Sequence, residues 1–316
     1  MPQLKILYAS DFHGSTIVFR KFVNASLMYK VDYSIYGGDI SGKYFVPILR
    51  RKDYFEAYYL NKKHVMKENE LQKFVEKIEN SGGYTIVVEE NEYEKINTDQ
   101  SYADRVFKEL MESRLKSWLV FAEDKLKDKD IQLLLQLGND DEEFLAGVIK
   151  ELESSKVKYV ENKIETLKEG YELASLGYAN ITPWKCPRDV EEPILEGMLT
   201  KLMSQVQSFE KTILNTHCPP YNTNIDLAPK LVDFKPVITS GGVVMEHVGC
   251  KSVRNIIERY QPLIGLHGHI HESRGVDKIG RTLVLNPGSD YNVGVLRAAY
   301  IVLEGSKVKS YLLVSG

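Results

Sequence analysis

The stretch LKILYASDFH at residues 4–13 decides the fold. It opens with a short apolar run of strand length, and Asp11 and His13 follow directly as Asp-Phe-His. A run that is apolar on both faces is typical of a strand buried in an α/β sheet. Loops that leave such strands carry the functional groups of α/β proteins. The stretch therefore predicts an α/β fold with a functional loop after its first strand.

Similar apolar runs recur along the chain, and each ends near Gly, Asn, Asp or His. We expect buried strands at Tyr33–Tyr36, Leu133–Leu137, Thr212–Thr216, Val237–Thr239, Leu263–Leu266 and Thr282–Leu285. Apolar residues at helical spacing predict helices over 101–122, 144–152 and 194–206, the first opened by a capping box at Ser101. Residues 294–314 alternate around a Glu-Gly-Ser turn and predict a terminal antiparallel hairpin.

Composition narrows the class of protein. At about 150 residues per domain, the 316 residues allow two domains or one large α/β domain. The net charge of -3 argues against a general binder of nucleic acid, and 43% hydrophobic residues exclude a disordered chain. Three cysteines favour a reducing compartment. Without a signal-peptide pattern or a membrane-length apolar run, we expect a cytoplasmic protein that does not engage a membrane.

Residues 43–130 differ from the rest because they are rich in Lys, Glu, Tyr and Asn. They contain a helix-like pattern at Glu68–Asn80, a Gly-Gly break and a strand signal at Thr85–Val88. We expect one domain spanning 1–316 that carries a mainly helical insertion or cap here, without a core of its own. Its tyrosines suit a solvated cap, and the alternatives are a lid over the site or the contact of a homo-oligomer.

Ligand-type side chains follow five of the apolar runs. Besides Asp11 and His13, they are Asp39 in GGD at 37–39, Asn139 in GNDD at 138–141, His217, and His269 and His271 in GHIH at 268–271. Oxygen and imidazole ligands suit Mn, Fe, Zn or Co rather than a Cys-rich structural zinc site. Each piece alone is common, but the ordered set indicates a metal centre.

This ordered set resembles the calcineurin-like metallophosphoesterases, and most closely their predicted phosphoesterases related to cyclic-nucleotide phosphodiesterases. The family pattern runs Asp-x-His, Gly-Asp, Gly-Asn-His-Asp/Glu, a later His and Gly-His-x-His, and its matches here span residues 11–271. The resemblance implies a four-layer α-β-β-α sandwich and two divalent ions, with Mn²⁺ expected and Fe, Zn, Co or Ni as alternatives. It implies that the first ion is held by Asp11, His13, Asp39 and His271, and the second by Asp39, Asn139, His217 and His269.

The resemblance also implies the reaction, which is hydrolysis of phosphodiester or phosphomonoester bonds by a hydroxide that bridges the two ions. Asp39 and Asp140 are the expected catalytic residues, and Asn139 and Asn180 the expected substrate contacts. Asp140 departs from the pattern because the family has His there. We expect a helix N-terminus after Asp140 and the nearby ions to stabilise its ionised form. Asp140 is then a poor general acid, and esters with poor leaving groups react slowly.

The leading interpretation is a metal-dependent phosphoric ester hydrolase that acts on a small phosphate ester such as a nucleotide. One alternative is a catalytically weak binding scaffold of the same fold, which the loss of the family histidine favours and the full ligand set opposes. The other is a nuclease of the same fold, which the net charge disfavours. His267 lies beside the last motif but is expected to be structural.

Overall fold

The computed structural model describes residues 2–316 and has two six-stranded sheets at its centre. The first sheet has the spatial order β24 (Lys307–Ser315), β23 (Arg297–Glu304), β1 (Gln3–Ala9), β2 (Tyr33–Tyr36), β7 (Gln132–Leu135) and β8 (Val157–Tyr159). Strands β1, β2, β7 and β8 are parallel, and the terminal hairpin β23–β24 adds antiparallel to β1. The predicted hairpin at 294–314 is confirmed.

The second sheet also has parallel strands in the middle, but it has an antiparallel strand at each edge. Its spatial order is β21 (Gly275–Ile279), β22 (Thr282–Asn286), β20 (Ile264–Leu266), β13 (Thr212–Thr216), β10 (Glu172–Leu176) and β9 (Lys163–Thr166). The prediction of a mixed α/β fold is confirmed.

Seven helices accompany the sheets within residues 2–316. They are α1 (Thr16–Tyr29), α2 (Glu68–Asn80), α3 (Glu90–Thr98), α4 (Gln100–Leu126), α5 (Phe144–Glu151), α6 (Glu192–Met203) and α7 (Lys251–Tyr260). No helix in this described part of the chain combines the length and the apolar composition that crossing a membrane requires. The three helices predicted from spacing are present, but α4 is capped by Asp99, whose side chain accepts from the Tyr102 amide, rather than by Ser101.

Three hydrophobic clusters show how these elements pack. Residues such as Ile6 and Ile35 of the first sheet meet Ile213 and Leu285 of the second in a cluster between the sheets. A second cluster joins the opposite face of the first sheet to α1, α4 and α5. A third joins the opposite face of the second sheet to α6 and α7. Burial on both faces explains why the central strands have continuous apolar runs.

Helix α7 is held by a carboxylate from the start of α6. Glu192 accepts hydrogen bonds from the Lys251 amide at 2.9 Å and from the Ser252 amide at 2.7 Å. Burial alone would raise the pKa of Glu192, but the Ser252 hydroxyl and these amides lower it by stabilising the ionised form. The ionised carboxylate also matches the positive end of the α7 dipole.

Residues 43–130 differ from the prediction, because they contain a sheet with a hydrophobic cluster of its own. The sheet has the order β5 (Lys62–Met66), β4 (Phe55–Tyr59), β3 (Phe45–Arg50) and β6 (Tyr84–Val88). The cluster joins these strands to α2 through Ile48, Phe55 and Phe74. Strand β4 alternates between buried and more exposed positions and carries Glu and Tyr, and strand β5 is largely exposed and begins with two lysines. They therefore lack the apolar runs that reveal buried strands.

The strand predicted at 237–239 does not belong to either central sheet. Residues 237–239 do not lie in a buried sheet but in an exposed ribbon over 227–247, where Ile238 is 72% exposed. The ribbon is built from the short antiparallel pairs β14 (Leu227–Pro229) with β19 (Met245–His247), β15 (Leu231–Val232) with β16 (Lys235–Pro236), and β17 (Ile238–Thr239) with β18 (Gly242–Val243). One more short parallel pair joins β11 (Ala179–Asn180) to β12 (Asp189–Val190).

Candidate metal centre

The carboxyl ends of the parallel strands of both sheets supply all the predicted ligands. Asp11 and His13 follow β1, Asp39 follows β2, Asn139 follows β7, His217 follows β13, and His269 and His271 follow β20. Loops at the carboxyl ends of parallel strands meet at one edge of a sheet. The structure brings these side chains together from positions up to 260 residues apart in the chain.

Asp11, His13 and His271 form the first group. Their ligand-type atoms lie within 4.8 Å of one another. The Nε2 atoms of His13 and His271 face each other at 3.1 Å, and Asp11 Oδ1 lies 3.5 Å from His271 Nε2. The His269 amide donates to both oxygens of Asp11, at 3.1 and 3.0 Å, which fixes the carboxylate in the site.

Asp39, His217 and His269 form the second group, with the same closeness. Asp39 Oδ2 lies 3.2 Å from His217 Nε2 and 3.6 Å from His13 Nε2, so one oxygen faces a histidine of each group. The Nδ1 atom of His217 lies 3.0 Å from the Gly37 carbonyl oxygen. That contact leaves Nε2 directed at the carboxylates of Asp39 and Asp11.

Asn139 is oriented by a residue that the sequence did not reveal. Its Nδ2 donates to Asp189 Oδ1 at 2.7 Å, and its buried Oδ1 has no hydrogen-bond partner in the described part of the chain. Asp189 is fixed in turn by the Thr182 and Cys186 amides, which donate to its Oδ2 at 2.9 and 3.0 Å. The amide oxygen of Asn139 is therefore free to accept a cation.

The next residue, Arg188, anchors the same loop. Its guanidinium donates to the Gly138 carbonyl at 2.9 Å, and its amide donates to the Asn139 carbonyl at 2.9 Å. The buried guanidinium also pairs with Glu161 and with Glu143. Burial alone would lower the pKa of Arg188, but these two carboxylates raise it.

Four of the predicted ligands have left-handed backbone conformations. The φ angles are 61° at Asp11, 41° at His13, 58° at Asp39 and 67° at His269. This region is uncommon for residues other than glycine, although Asp and His enter it more readily than most. Such conformations cluster at functional sites, where the surrounding structure enforces them.

The protonation states of the cluster suit cation binding. Burial lowers the pKa of His13 to about 3 and that of His269 to about 4. Burial acts against ionisation of Asp11, but the hydrogen bond with His271 lowers its pKa to about 2. Burial would lower the pKa of His217, but the Asp39 carboxylate raises it to about 9, so a cation competes there with a proton.

These observations test whether divalent ions fit the site. The cluster combines ionised carboxylates, imidazoles and an amide oxygen, and the buried Oδ1 of Asn139 has no hydrogen-bond partner in the described residues. A buried polar atom without a partner is costly, and a cation would satisfy this one. The opposed Nε2 atoms of His13 and His271 would likewise serve a cation between them. The donor set fits a pair of divalent ions.

Asp140 forms a third group of ligand-type atoms with His13 and Asp39, but its surroundings correct the prediction. Helix α5 begins at Phe144, so no helix N-terminus adjoins Asp140. Burial and the Asp39 carboxylate raise the pKa of Asp140, whereas Lys43 lowers it. Lys43 Nζ lies 2.5 Å from Asp140 Oδ2, and His13 Nδ1 lies 3.7 Å from the same oxygen. A lysine, rather than a helix, supplies the charge that opposes the carboxylate.

Two other polar residues near the motifs have structural contacts. Asp141 accepts from the Ile40 and Gly138 amides at 3.0 and 2.8 Å and ties the two loops together. His267 directs Nδ1 at Thr216 Oγ1, 2.9 Å away, and belongs to neither ligand group.

A cavity of about 580 Å³ opens beside the cluster. Asp39, Asn139, Asp140 and His271 lie along one part of its wall. Asn180, a predicted substrate contact, lies along the wall as well and accepts from the Cys218 thiol. The remaining wall is partly apolar and includes Ile181, Trp184, Pro229, Leu231 and Val248. Residues 181–186 and the ribbon over 227–247 therefore border the candidate centre.

Tyr291 is a further neighbour that sequence reasoning missed. Its ring lies 4.7 Å from the His13 ring and 5.7 Å from the His271 ring, which restricts both imidazoles. The nearby Asn-Pro-Gly-Ser stretch at 286–289 is typical of a turn, and nothing in it indicates a role for this tyrosine. Lys43 and Asp189 had no sequence signal either, because their roles depend on contacts between distant loops.

Comparison with known proteins gives one sequence relative and several similar structures. No protein-family model matches the chain. An uncharacterized protein from Methanocaldococcus jannaschii, MJ1162, is 38% identical over 142 residues, which cover 44% of this chain and 57% of that protein. The match thus spans little more than half of the relative's length.

Two solved structures share the fold over the whole chain. One aligns with a TM-score of 0.58 and 14% identity over 99% of both chains. The other, TT1561 of Thermus thermophilus, aligns with a TM-score of 0.52 and 13% identity over 100% of this chain and 99% of its own. At this identity the likeness concerns the fold. On this fold the ordered motifs converge on one site.

Proposed function

We propose that the protein is a two-metal phosphoesterase that hydrolyses phosphodiester or phosphomonoester bonds. One observation carries the proposal: two groups of buried ligand-type side chains adjoin each other, and Asp39 Oδ2 faces a histidine of each. Carboxylates and imidazoles with this arrangement suit two cations that share one carboxylate. The packing order of helices and sheets is consistent with a four-layer sandwich, and we include that architecture in the proposal.

Each ion has its own set of proposed ligands. Asp11, His13, Asp39 and His271 would hold the first, and Asp39, Asn139, His217 and His269 the second. Mn²⁺ is the proposed metal, with Fe, Zn, Co and Ni as alternatives. When bound, such a pair polarises phosphoryl oxygens, lowers the pKa of a water and aligns the attacking and leaving groups.

The protein's own residues set up this chemistry in three ways. The Asp39 carboxylate lies between the two groups and would offset the repulsion of neighbouring cations. Asp189 and the Gly37 carbonyl orient Asn139 and His217 so that Asn139 Oδ1 and His217 Nε2 face the site. Such supporting contacts usually matter for metal affinity.

The cavity indicates the size of the substrate. Its volume of about 580 Å³ lies in the range of small-molecule sites. Because Ile181, Trp184 and Leu231 give it an apolar side, we propose an ester whose alcohol part is an organic group of nucleoside size. Asn180 borders this space and would contact the substrate.

Cytoplasmic location and self-association through residues 43–130 belong to the same proposal.

The proposal is tested with purified protein loaded with Mn²⁺. We expect about two bound ions per chain by elemental analysis, and turnover of bis(4-nitrophenyl) phosphate or 4-nitrophenyl phosphate. Asp39→Asn should remove most of both signals, whereas Asp128→Asn, at an exposed position far from the motifs, should change neither. Wild-type protein that binds no divalent metal and hydrolyses neither ester would refute the proposal.

A further inference from the structure

Lys43 lies on the cavity wall beside Asp140, the residue that replaces the family histidine. We propose that the Lys43–Asp140 pair takes the place of that histidine, and that Lys43 binds an oxygen of the phosphate ester. This inference rests on the proposed function and adds a substrate-binding residue to it.

Asp140 connects Lys43 to the metal centre. Its Oδ2 lies 2.5 Å from Lys43 Nζ and 3.7 Å from His13 Nδ1. Its backbone amide donates to Asp39 Oδ1 at 3.0 Å. Through Asp140, the ammonium group is therefore held close to His13 and Asp39.

The backbone that carries Lys43 is held on both sides. The Ser41 amide donates to Asp141 at 2.9 Å, and the Gly42 amide donates to the Tyr84 hydroxyl oxygen at 3.0 Å. A Cβ atom at Gly42 would lie 1.9 Å from the Gly82 carbonyl oxygen, so the chain approaches too closely for any other residue. The Lys43 side chain therefore extends from a backbone that is held in place, and 54% of the side-chain surface is exposed.

The charges around the cavity give this lysine a specific role. Among the described residues that line the cavity, Lys43 is the one Lys or Arg, whereas Asp140, Glu246 and Glu272 are all acidic. An ionised phosphate ester beside an unpaired Asp140 would be repelled. An ammonium group has three donors, so one can hold Asp140 while the others reach phosphoryl oxygens. The pair therefore presents a cationic donor where the family presents an imidazole.

The experiment measures binding of inorganic phosphate to the Mn²⁺-loaded protein by calorimetry, together with Mn²⁺ affinity and KM for bis(4-nitrophenyl) phosphate. We expect Lys43→Gln to weaken phosphate binding by roughly 10- to 100-fold, the range for a hydrogen bond to a charged group. Lys43→Arg should restore most of it. Lys52→Gln, at an exposed position outside the cavity wall, is the matched control. Mn²⁺ affinity should change by less than about threefold in all of them.

Asp140→Asn separates this role from simple repulsion. If Asp140 holds Lys43, its loss should weaken phosphate binding although a negative charge is removed. Tighter binding in Asp140→Asn, or Lys43→Gln binding phosphate like wild type, would overturn the inference. If the wild-type protein binds Mn²⁺ and turns over ester while Lys43→Gln is unaffected, only the inference fails. If wild type binds neither Mn²⁺ nor phosphate, both fail.

Discussion

Replacing Arg188 with Met tests how the loop that carries Asn139 is held in place. The guanidinium is 1% exposed and pairs with Glu161, whose side chain is 3% exposed, and with Glu143, which is 58% exposed. Methionine fills much of the same volume but leaves the Glu161 carboxylate buried without its cation. It also removes the donor to the Gly138 carbonyl.

The expected loss follows from these burials. Removing one partner of a buried ion pair costs about 3–5 kcal/mol, and the exposed Glu143 contact adds little. For the 316 residues, an unfolding entropy of about 2.1 cal/mol/K per residue gives roughly 0.7 kcal/mol/K. A loss of about 4 kcal/mol therefore lowers the melting temperature by roughly 6 °C.

Thermal unfolding of four proteins checks the reasoning. They are wild type, Arg188→Met, Glu161→Gln and the double variant, with Arg259→Met as a control for an exposed pair. The double variant should be more stable than Arg188→Met because Gln no longer buries an unpaired charge. The control should change by less than about 1 kcal/mol. A loss below about 1 kcal/mol in Arg188→Met, or strictly additive effects, would show that the pair does not hold the loop.

Three further changes have defined outcomes. Asp189→Asn should weaken Mn²⁺ binding by about 10- to 100-fold with unchanged far-UV circular dichroism, because the orientation of Asn139 is lost; an unchanged Kd contradicts this. Glu192→Gln should destabilise the fold at neutral pH, and the difference should shrink as the pH falls from the ordinary carboxyl pKa of about 4.3 through the lowered pKa of Glu192, because protonation removes the stabilisation that the ionised carboxylate supplies; a difference that stays constant on acidification, in urea unfolding, contradicts it. Trp184→Ala should raise KM for aryl esters by about tenfold with little change in kcat, whereas Phe234→Ala, on the exposed ribbon but outside the cavity wall, should not; equal effects would remove Trp184 from the substrate site.

Most of the central sheets could be predicted from the sequence because their strands are buried on both faces. Strand β10 was not predicted, because Glu172 and Ser175 interrupt its apolar run. Every residue in this strand is nevertheless buried. The run at 237–239 misled in the opposite direction, because β-branched residues also suit an exposed ribbon. An apolar run therefore predicts a buried strand only where the buried positions carry apolar side chains, and it does not exclude an exposed strand.

The candidate site was predictable to the extent that its residues follow strand ends. The ligand-type side chains lie in short motifs that occur in a fixed order along the chain. The sequence alone therefore predicted that they form one metal site. Lys43, Asp189 and Tyr291 were not predictable, because each acts through a partner on a distant loop and no local spacing marks it. Asp140 was found, but its cationic neighbour Lys43 was not, because the two residues lie on different loops.

The left-handed backbone at His13 and His269 also bears on how the protein would evolve in the laboratory. A left-handed residue other than glycine costs on the order of 1 kcal/mol, and His13 is buried and His269 half-buried as well. Selection for heat resistance alone would therefore act against these two histidines, whereas selection for turnover would retain them. Sequencing the survivors of the two selections would outline the site by the positions at which they diverge, without any knowledge of the natural substrate.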